Sequence, residues 1–319
     1  AGGLWAGELI QNADFSRQDL VFTKVQDYDV VELRGCVAGI KPGEPRLPRL
    51  VQSVLIPAGA IPTKVEIISE TTIPLPGTYK IVPGQPDVPL PMPGKIFTPE
   101  FHGPKTEIYS SDKLFPEITI RLTGAGSVCG YQIAHVEIRP LQYRPSTGEL
   151  ILTTHITYRL RYNENQVDNT VPTDGQRNVF GEHVRSLVVN PEAADRFTPL
   201  VVRRGSPFLP PGDYKYVIIS GAAMLDTIFQ RLADWKTKKG IPATVVQMSY
   251  INTTYTGYDL QEKVRNFIID AKATWGTIYV LLGGAGDYKS SGQNLVPTRK
   301  GWYTSAGGPD GDSLPADLY

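Results

Sequence analysis

The main change in the spacing of the apolar residues lies near residue 214, and it restricts the chain to two differently built halves. Before it, short apolar or alternating runs recur between glycines and prolines, which is typical of antiparallel strands. After it, strand-like and helical runs follow one another. Because 319 residues suffice for about two domains with separate cores, we expect a β domain followed by an α/β domain.

The first half predicts an antiparallel β-sandwich of jelly-roll type, because its strand-like runs are short and regularly punctuated by turn residues. These runs are Val21–Val25, Asp29–Leu33, Leu50–Ile56, Lys64–Ile68, Ile118–Leu122, Ile133–Ile138, Leu150–Leu152 and Ile156–Tyr162. A helix is expected over Gln176–Val189, where the apolar residues share one helical face before Asn190-Pro191. The Pro- and Gly-containing stretch Glu192–Gly212 is then typical of an interdomain linker.

The second half predicts an open parallel sheet with helices in its crossover connections. The strand-like runs are Tyr216–Ser220, Ala243–Gln247 and Ile278–Leu282, and the helical runs are Leu225–Trp235 and Leu260–Trp275. Functional groups of such sheets lie where the strands end. In this sequence those positions are Ser220-Gly221, Met248–Tyr250 and Gly283–Asp287.

The composition excludes several classes of function. The 32 basic and 32 acidic side chains give no net charge, which argues against nucleic-acid binding and against a polybasic membrane surface. The chain lacks a run of about 18 apolar residues, so we expect no transmembrane segment. It begins Ala1-Gly2-Gly3 without methionine, which suggests an exported protein whose leader has been removed.

Residues that commonly carry catalysis are unevenly distributed, since the four histidines and both cysteines precede residue 190. A nucleophile needs a neighbouring base, and the α/β half has no histidine or cysteine with which to build such a pair. Cys36 and Cys129 are too few for a disulfide scaffold, and they form either separate thiols or one disulfide. The glycines of Gly283–Gly286 lack phosphate-loop spacing and do not lead into a helix, which argues against nucleotide binding.

Metal binding is restricted by the same distribution. The scattered histidines argue against zinc. Calcium fits better, because Asp287, Asp310, Asp312 and Asp317 offer carboxylate oxygens in loop-like segments. A solvated acidic loop is the simpler alternative, and no other feature requires a cofactor.

A further set of segments carries a resemblance to a known enzyme family. In order along the chain they are Asp27–Val31, Gly43–Pro48, Ile56–Gly59, Tyr109–Pro116, Arg139–Gly148, Tyr216–Ser220, Ala233–Lys236, Tyr279–Gly283, Val296–Arg299 and Asp312–Tyr319. Together they resemble the gingipain-like cysteine endopeptidases. The resemblance implies a β-sandwich prosegment with a C-terminal helix over residues 1–196. It also implies the first, parallel-sheet subdomain of a caspase-like peptidase domain over residues 197–319.

This resemblance implies a secreted or cell-surface zymogen that acts on protein or peptide substrates. Its prosegment would inhibit and chaperone the enzyme, and its partner would be the rest of its own peptidase domain. The family's catalytic histidine and cysteine lie downstream of the segment matching Asp312–Tyr319, so we expect this chain alone to be inactive. The alternative is a non-catalytic secreted surface or assembly protein built on a degenerate peptidase scaffold.

The resemblance also implies an inhibitory loop, in which a basic side chain occupies the substrate cleft. Lys113 is the first candidate, with Lys105 and Arg46 behind it. Asp287 and Asp317 become the candidate calcium ligands, although Asp287 follows its strand later than the family pattern has it.

The junction between the two domains is expected to be the site of proteolytic processing. Arg196 followed by Phe197-Thr198-Pro199 resembles the end of the family's prosegment and the start of its mature enzyme. Cleavage is expected after Arg196 or within Arg203-Arg204, because exposed Pro- and Gly-rich connections are cut most readily.

Overall fold

The computed structural model describes residues 5–39, 41–86, 101–164, 172–197, 205–286, 295–297, 299–303 and 312–316. Its contacts divide the chain into a first unit, 1–171 with 182–199, and a second unit, 172–181 with 200–319. Antiparallel sheets in the first unit and a parallel sheet in the second confirm the expected mixture of β and α/β structure. Among the described residues, no helix is long and apolar enough to cross a membrane.

The strands of the first unit form two antiparallel sheets and a hairpin. They are β1 (Trp5–Asp14), β2 (Leu20–Val25), β3 (Tyr28–Leu33), β4 (Val37–Ala38), β5 (Pro48–Ile56), β6 (Ile61–Leu75), β7 (Ile120–Val128), β8 (Tyr131–Ile138), β9 (Leu141–Arg144) and β10 (Glu149–Glu164). One sheet has the order β1-β10-β6, with β9 also paired to β10, and the other has the order β4-β5-β8-β7. Strands β2 and β3 pair with each other. The helices of this part of the chain are α1 (Thr106–Tyr109), α2 (Asp174–Leu187) and α3 (Ala193–Phe197).

Strand β10 shows how alternation in the sequence becomes a core. Ile156, Tyr158 and Leu160 point to one face and are fully buried, as the period of two predicts. The expected strands Leu150–Leu152 and Ile156–Tyr162 are parts of this single strand. A register shift between Thr153 and His155 lets the pairing with β6 continue through both, so the strand is about 50 Å long.

A buried chain of hydrogen bonds connects the two sheets of the first unit. The Tyr158 hydroxyl donates to Oε1 of Gln52 at 2.6 Å, and Nε2 of Gln52 donates to the carbonyl oxygen of Asn12 at 3.0 Å. Burial raises the pKa of Tyr158. Apolar side chains of both sheets, such as Val54 and Ile156, belong to one core cluster. The sheets therefore share a core that includes this satisfied polar link.

The other face of β5 and β8 carries a second core cluster. Leu55 and Ile133 pack there against Val184 and Phe197, from the end of α2 and from α3. The carboxamide of Asn190 accepts from the Leu55 amide at 2.8 Å and donates to the Leu55 carbonyl at 2.9 Å, which satisfies both backbone groups. The expectation that a linker begins at Glu192 is therefore wrong, because α3 and its buried side chains occupy residues 193–197.

The second unit contains a parallel sheet and a separate strand pair. Its strands are β11 (Tyr216–Ser220), β12 (Ala243–Gln247), β13 (Tyr279–Gly283), β14 (Arg299–Tyr303) and β15 (Asp312–Ala316), and its helices are α4 (Asp226–Lys238), α5 (Met248–Thr254) and α6 (Leu260–Trp275). The parallel sheet has the order β12-β11-β13, whereas β14 and β15 pair antiparallel. Strand β11 is central and buried, as its continuous apolar sequence predicts.

Residues 205–214 are held against this unit by polar contacts. Oγ of Ser206 donates to the Asp270 carboxylate at 2.5 Å and accepts from the amides of Phe208 and Leu209. Nε1 of Trp275 donates to the carbonyl oxygen of Pro210 at 2.7 Å, and Leu209 is buried in the core. The end of the expected linker is thus also packed against the second unit, by these hydrogen bonds and by the burial of Leu209.

Candidate functional site

The carboxyl edge of the parallel sheet holds a carboxylate fixed by two neighbours. Oγ of Ser220, at the end of β11, donates to Oδ1 of Asp226 at 2.6 Å, and Nε2 of Gln247, at the end of β12, donates to Oδ2 at 2.5 Å. Asp226 begins α4. This arrangement orients Asp226 next to an open cleft of about 490 Å³, but it brings no nucleophile and base together.

The glycines at this edge have a packing role. A Cβ atom added to Gly221 would lie 2.6 Å from Cβ of Leu295, and one added to Gly284 would lie 2.8 Å from it. The Leu295 amide donates to the Ala285 carbonyl at 2.8 Å. Gly221 and Gly284 therefore let the residue 295 segment approach β11 and β13 closely, which accounts for part of the glycine cluster without a bound phosphate.

Lys113 lies in a loop of the first unit whose neighbouring residues are held by hydrogen bonds. Phe115 and Tyr143 exchange two backbone hydrogen bonds of 2.7 Å, and the Arg144 guanidinium donates to the carbonyl oxygen of Asp112. The Lys113 side chain is 74% exposed and lies 3.5 Å from the equally exposed Glu117. The loop is thus held at its base while its lysine projects into solvent, where an exposed ion pair restrains it weakly.

The other basic candidates are placed differently. Lys105 lies 3.5 Å from Glu44, which also has Lys41 at 3.9 Å. Arg46 is half-buried, and its amide donates to the Val82 carbonyl. Of the three basic candidates, Lys113 is the most exposed.

A buried carboxylate surrounded by arginines was not predicted from the sequence. Glu137 on β8 is 1% exposed and accepts hydrogen bonds of 2.8–3.0 Å from Arg49, Arg121 and Arg139. Burial alone would raise the pKa of Glu137, but the hydrogen bonds from Arg121, Arg49 and Arg139 outweigh it and lower the pKa to about 2. The available signal was the alternation of charged and apolar residues in Glu137-Ile138-Arg139, at the end of β8, and a lone charge, Arg121, within β7.

Models of two protein families match this chain. The propeptide model of family C25 matches residues 10–197, which is more than half of the chain, and the model of peptidase family C25 matches residues 209–319. The chain belongs to peptidase family C25. It is a gingipain-like propeptide followed by the start of the catalytic domain. No curated protein matches it.

Two solved structures from Porphyromonas gingivalis are similar to parts of this family member. One is a complex of the RgpB pro- and mature domains, 22% identical with a TM-score of 0.46, in which the match covers 58% of this chain and 92% of that chain. The other concerns the zymogenic latency of gingipain K, 20% identical with a TM-score of 0.41, covering 50% of this chain and 88% of that one.

The expected processing residues of this C25 chain differ in their surroundings. Arg196 is exposed but lies within α3. Phe197 is 7% exposed, and its carbonyl oxygen accepts from the Ala58 amide at 3.2 Å. Arg203 and Arg204 lie outside the described residues. The peptide bond between Arg196 and Phe197 is therefore held in a helix with its second residue buried.

The two cysteines of the propeptide are separate thiols in the structure. Cys129 lies in the turn that precedes β8, whereas Cys36 lies next to Val37, which pairs with Arg49 near the other end of β8. These positions are separated by about 25 Å along the strand, and a disulfide needs Cα atoms within about 7 Å. The structure thus favours the thiol alternative over the disulfide.

We expect thiol titration of the denatured, unreduced chain to find both cysteines free. In the folded chain Cys36 should react slowly, because burial raises its pKa to about 11 and the thiolate is the reactive form. Burial raises the pKa of Cys129 as well. Absence of free thiol in the denatured chain would instead establish the disulfide.

The candidate calcium ligands cannot be placed with these groups, since Asp287 and Asp317 lie outside the described residues. Within the described residues, no group of three or more His, Cys, Asp or Glu side chains is arranged to hold a metal ion. Calcium at Asp287 and Asp317 therefore stays a prediction.

Proposed function

We propose that this chain is the N-terminal part of a secreted or cell-surface cysteine endopeptidase zymogen, with an inhibitory propeptide and the first subdomain of its peptidase. The observation that carries the proposal is the order of the two family matches, propeptide before peptidase, in one chain. The peptidase match over residues 209–319 contains no histidine or cysteine. The catalytic histidine and cysteine would therefore be supplied by the remainder of the peptidase domain, which is the partner that the propeptide inhibits.

The finer architecture belongs to the same proposal. Two antiparallel sheets with one common core support a jelly-roll-like sandwich for the propeptide, assigned to residues 1–196. A parallel sheet with α4, α5 and α6 in its connections supports a caspase-like subdomain over residues 197–319. The location outside the cytoplasm rests on the resemblance to gingipain-like zymogens, as does calcium binding.

The reaction proposed for the whole protein is thiolate attack on a peptide carbonyl, with histidine carrying the proton. The test is peptide hydrolysis by the processed full-length protein, with and without iodoacetamide. Hydrolysis blocked by the alkylating agent supports the enzyme. A processed protein without thiol-dependent hydrolysis supports the alternative, a non-catalytic surface or assembly protein, which the lack of histidine and cysteine in residues 209–319 also fits.

Lys113 is proposed as the side chain that blocks the substrate cleft. Its support is the geometry of the loop, whose base is held by Phe115 and Tyr143 while the lysine projects at 74% exposure. A braced loop loses little conformational entropy when it docks, which strengthens binding. Lys105 is a weaker candidate because its ammonium group already lies near Glu44.

We expect Lys113→Ala in the full-length zymogen to raise its activity before processing by about tenfold or more, since an ion pair buried at an interface is costly to lose. The measurement is hydrolysis of a fluorogenic peptide by unprocessed protein. Lys24→Ala is the matched control, because Lys24 is 75% exposed and lies 3.6 Å from Asp29, much as Lys113 lies near Glu117. Unchanged latency in Lys113→Ala would exclude Lys113 as the blocking residue and leave the zymogen itself intact.

Processing is proposed at Arg203 or Arg204 first, with the bond after Arg196 cut later. The support for this order is the structure around the bond between Arg196 and Phe197. Arg196 is in α3 and Phe197 is buried, whereas a protease needs an extended, accessible segment. Local opening of α3 must therefore precede cleavage between Arg196 and Phe197.

A further inference from the structure

A cavity in the first unit has a wall that is unusually rich in cations. It encloses about 220 Å³ and is lined by Arg49, Arg121 and Arg139 together with Lys41, Pro45 and Phe115. Arg49 and Arg121 come from β5 and β7, and Arg139 directly follows β8; the three strands are neighbours in one sheet. Strand register places Arg121 opposite Glu137. Arg139 comes one residue after β8 ends, and its Nε donates to the same Glu137 at 2.8 Å.

The carboxylates near this cavity do not balance its positive charge. Arg49, Arg121 and Arg139 donate to the single carboxylate of Glu137. Glu44, on the cavity wall, has both Lys41 and Lys105 within 4 Å. Each acidic group is therefore shared by more than one cation, and the cavity keeps a positive excess that attracts anions.

One donor of this wall is unused. Nε of Arg49 is buried and has no hydrogen-bond partner among the described residues. Its Nη1 atom is committed to Glu137 at 2.9 Å. Because this Nε atom has no accessible surface, it cannot reach a ligand in the cavity. A ligand there would be bound by the guanidinium N–H groups of the three arginines that do not donate to Glu137.

We propose that this cavity is a binding site for a carboxylate carried on a small apolar group, either a free organic acid or the C-terminal residue of a peptide. Guanidinium groups bind the two oxygens of a carboxylate in a matched planar geometry. Pro45, Leu47, Phe115 and Pro116 line the cavity beside the arginines and suit the apolar part. The site does not depend on the proposed zymogen function.

A larger cleft of about 550 Å³ shares Phe115, Pro116, Arg121 and Arg139 with this cavity and also includes Lys113. A carboxylate held by the arginines would therefore contact the base of the loop that bears Lys113. Because the two cavities adjoin, a bound ligand could change the conformation of the loop that carries Lys113.

Isovalerate is the probe for a free acid, and an acetylated dipeptide ending in leucine is the probe for a peptide terminus. We expect either or both to shift backbone amide resonances of the cavity residues in the full chain, with millimolar affinity. Isovaleramide, which has the same shape without the charge, and chloride at equal ionic strength should leave them unchanged. Binding by one probe alone identifies the source of the carboxylate, whereas equal shifts with isovaleramide, or no shift with either acid, would overturn the proposal.

Arg49→Met tests the site without removing the other partners of Glu137, since Arg121 and Arg139 still donate to it. We expect at least a tenfold loss of affinity for the acid. Arg161→Met is the matched control, because it removes an arginine that pairs with Glu66 on the other sheet. Lys41→Gln, at an exposed position of the cavity wall, should weaken binding by a smaller factor. Equal losses in Arg49→Met and Arg161→Met would indicate general charge attraction and contradict the site.

Discussion

Replacing Glu137 by leucine is expected to lower the free energy of unfolding of the first unit by about 3–5 kcal/mol, the usual cost of removing one partner from a buried ion pair. Glu137 is 1% exposed and accepts from Arg49, Arg121 and Arg139. Without it, the positive charges repel one another while they remain partly desolvated. The loss should be measured by amide hydrogen exchange of β5 and β8 in the full chain, which isolates this unit from the other.

Glu66→Leu is the matched control for this change. Glu66 also pairs with an arginine, Arg161, but its side chain is at the surface of β6. Exposed ion pairs contribute little to stability. Glu66→Leu should therefore lower the free energy of unfolding much less than Glu137→Leu does. Equal protection of β5 and β8 in Glu137→Leu and the parent chain would mean that Glu137 does not organise the arginines.

The pH dependence of stability provides a second measure of how much the Glu137 carboxylate stabilises the fold. The pKa of Glu137 is lowered to about 2 in the folded state, from an ordinary value of 4.5. Its stabilising contribution, about 3 kcal/mol by linkage, is therefore complete above pH 4.5 and disappears as the pH falls towards 2. We expect the stability difference between the parent chain and Glu137→Leu to narrow over that window. A difference that stays constant down to pH 2 would contradict the assignment.

The regular strands of this fold are predictable from sequence because burying one face of a strand requires an apolar residue at every second position. Ile156, Tyr158 and Leu160 alternate with polar neighbours and form one buried face of β10, and the continuous apolar run Tyr216–Ser220 forms the central parallel strand. Strand lengths are less predictable. Pairing continues wherever the backbone can accommodate a register shift, so Lys64–Ile68 becomes part of the much longer β6, Ile61–Leu75.

The parts that resist prediction depend on contacts between distant residues. Phe197 and Asn190 lie in a stretch rich in polar and breaker residues, yet each is buried through contacts with β5 or its neighbours. Glu137 is likewise a charged residue in a strand pattern, and only the strand register shows that Arg121 lies opposite it. Lys113 was found through resemblance to a family, because an exposed lysine has no distinguishing local pattern.

Replacing Phe197 by alanine is expected to destabilise the docking of α3 by about 3–5 kcal/mol, as for other large-to-small changes in a core. Phe197 packs with Leu55, Ile133 and Val184, and its removal leaves a cavity among them. Opening of α3 then becomes more frequent, and a bond that is cut from the opened state is cut in proportion to that frequency. Cleavage after Arg196 by trypsin should accelerate by about a hundredfold or more.

The measurement is the time course of N-termini that begin at residue 197, compared with those that begin at 204 or 205, during limited digestion of the full chain. Phe208→Ala is the matched control, since Phe208 is a half-exposed phenylalanine of the second unit. Its cleavage after Arg196 should stay as slow as in the parent chain. If the parent chain is cut after Arg196 as rapidly as at Arg203 and Arg204, then α3 does not protect this bond, and the junction that the family resemblance implies is open without any rearrangement. If only the Phe197 variant is cut there rapidly, burial of one aromatic side chain controls the order of processing.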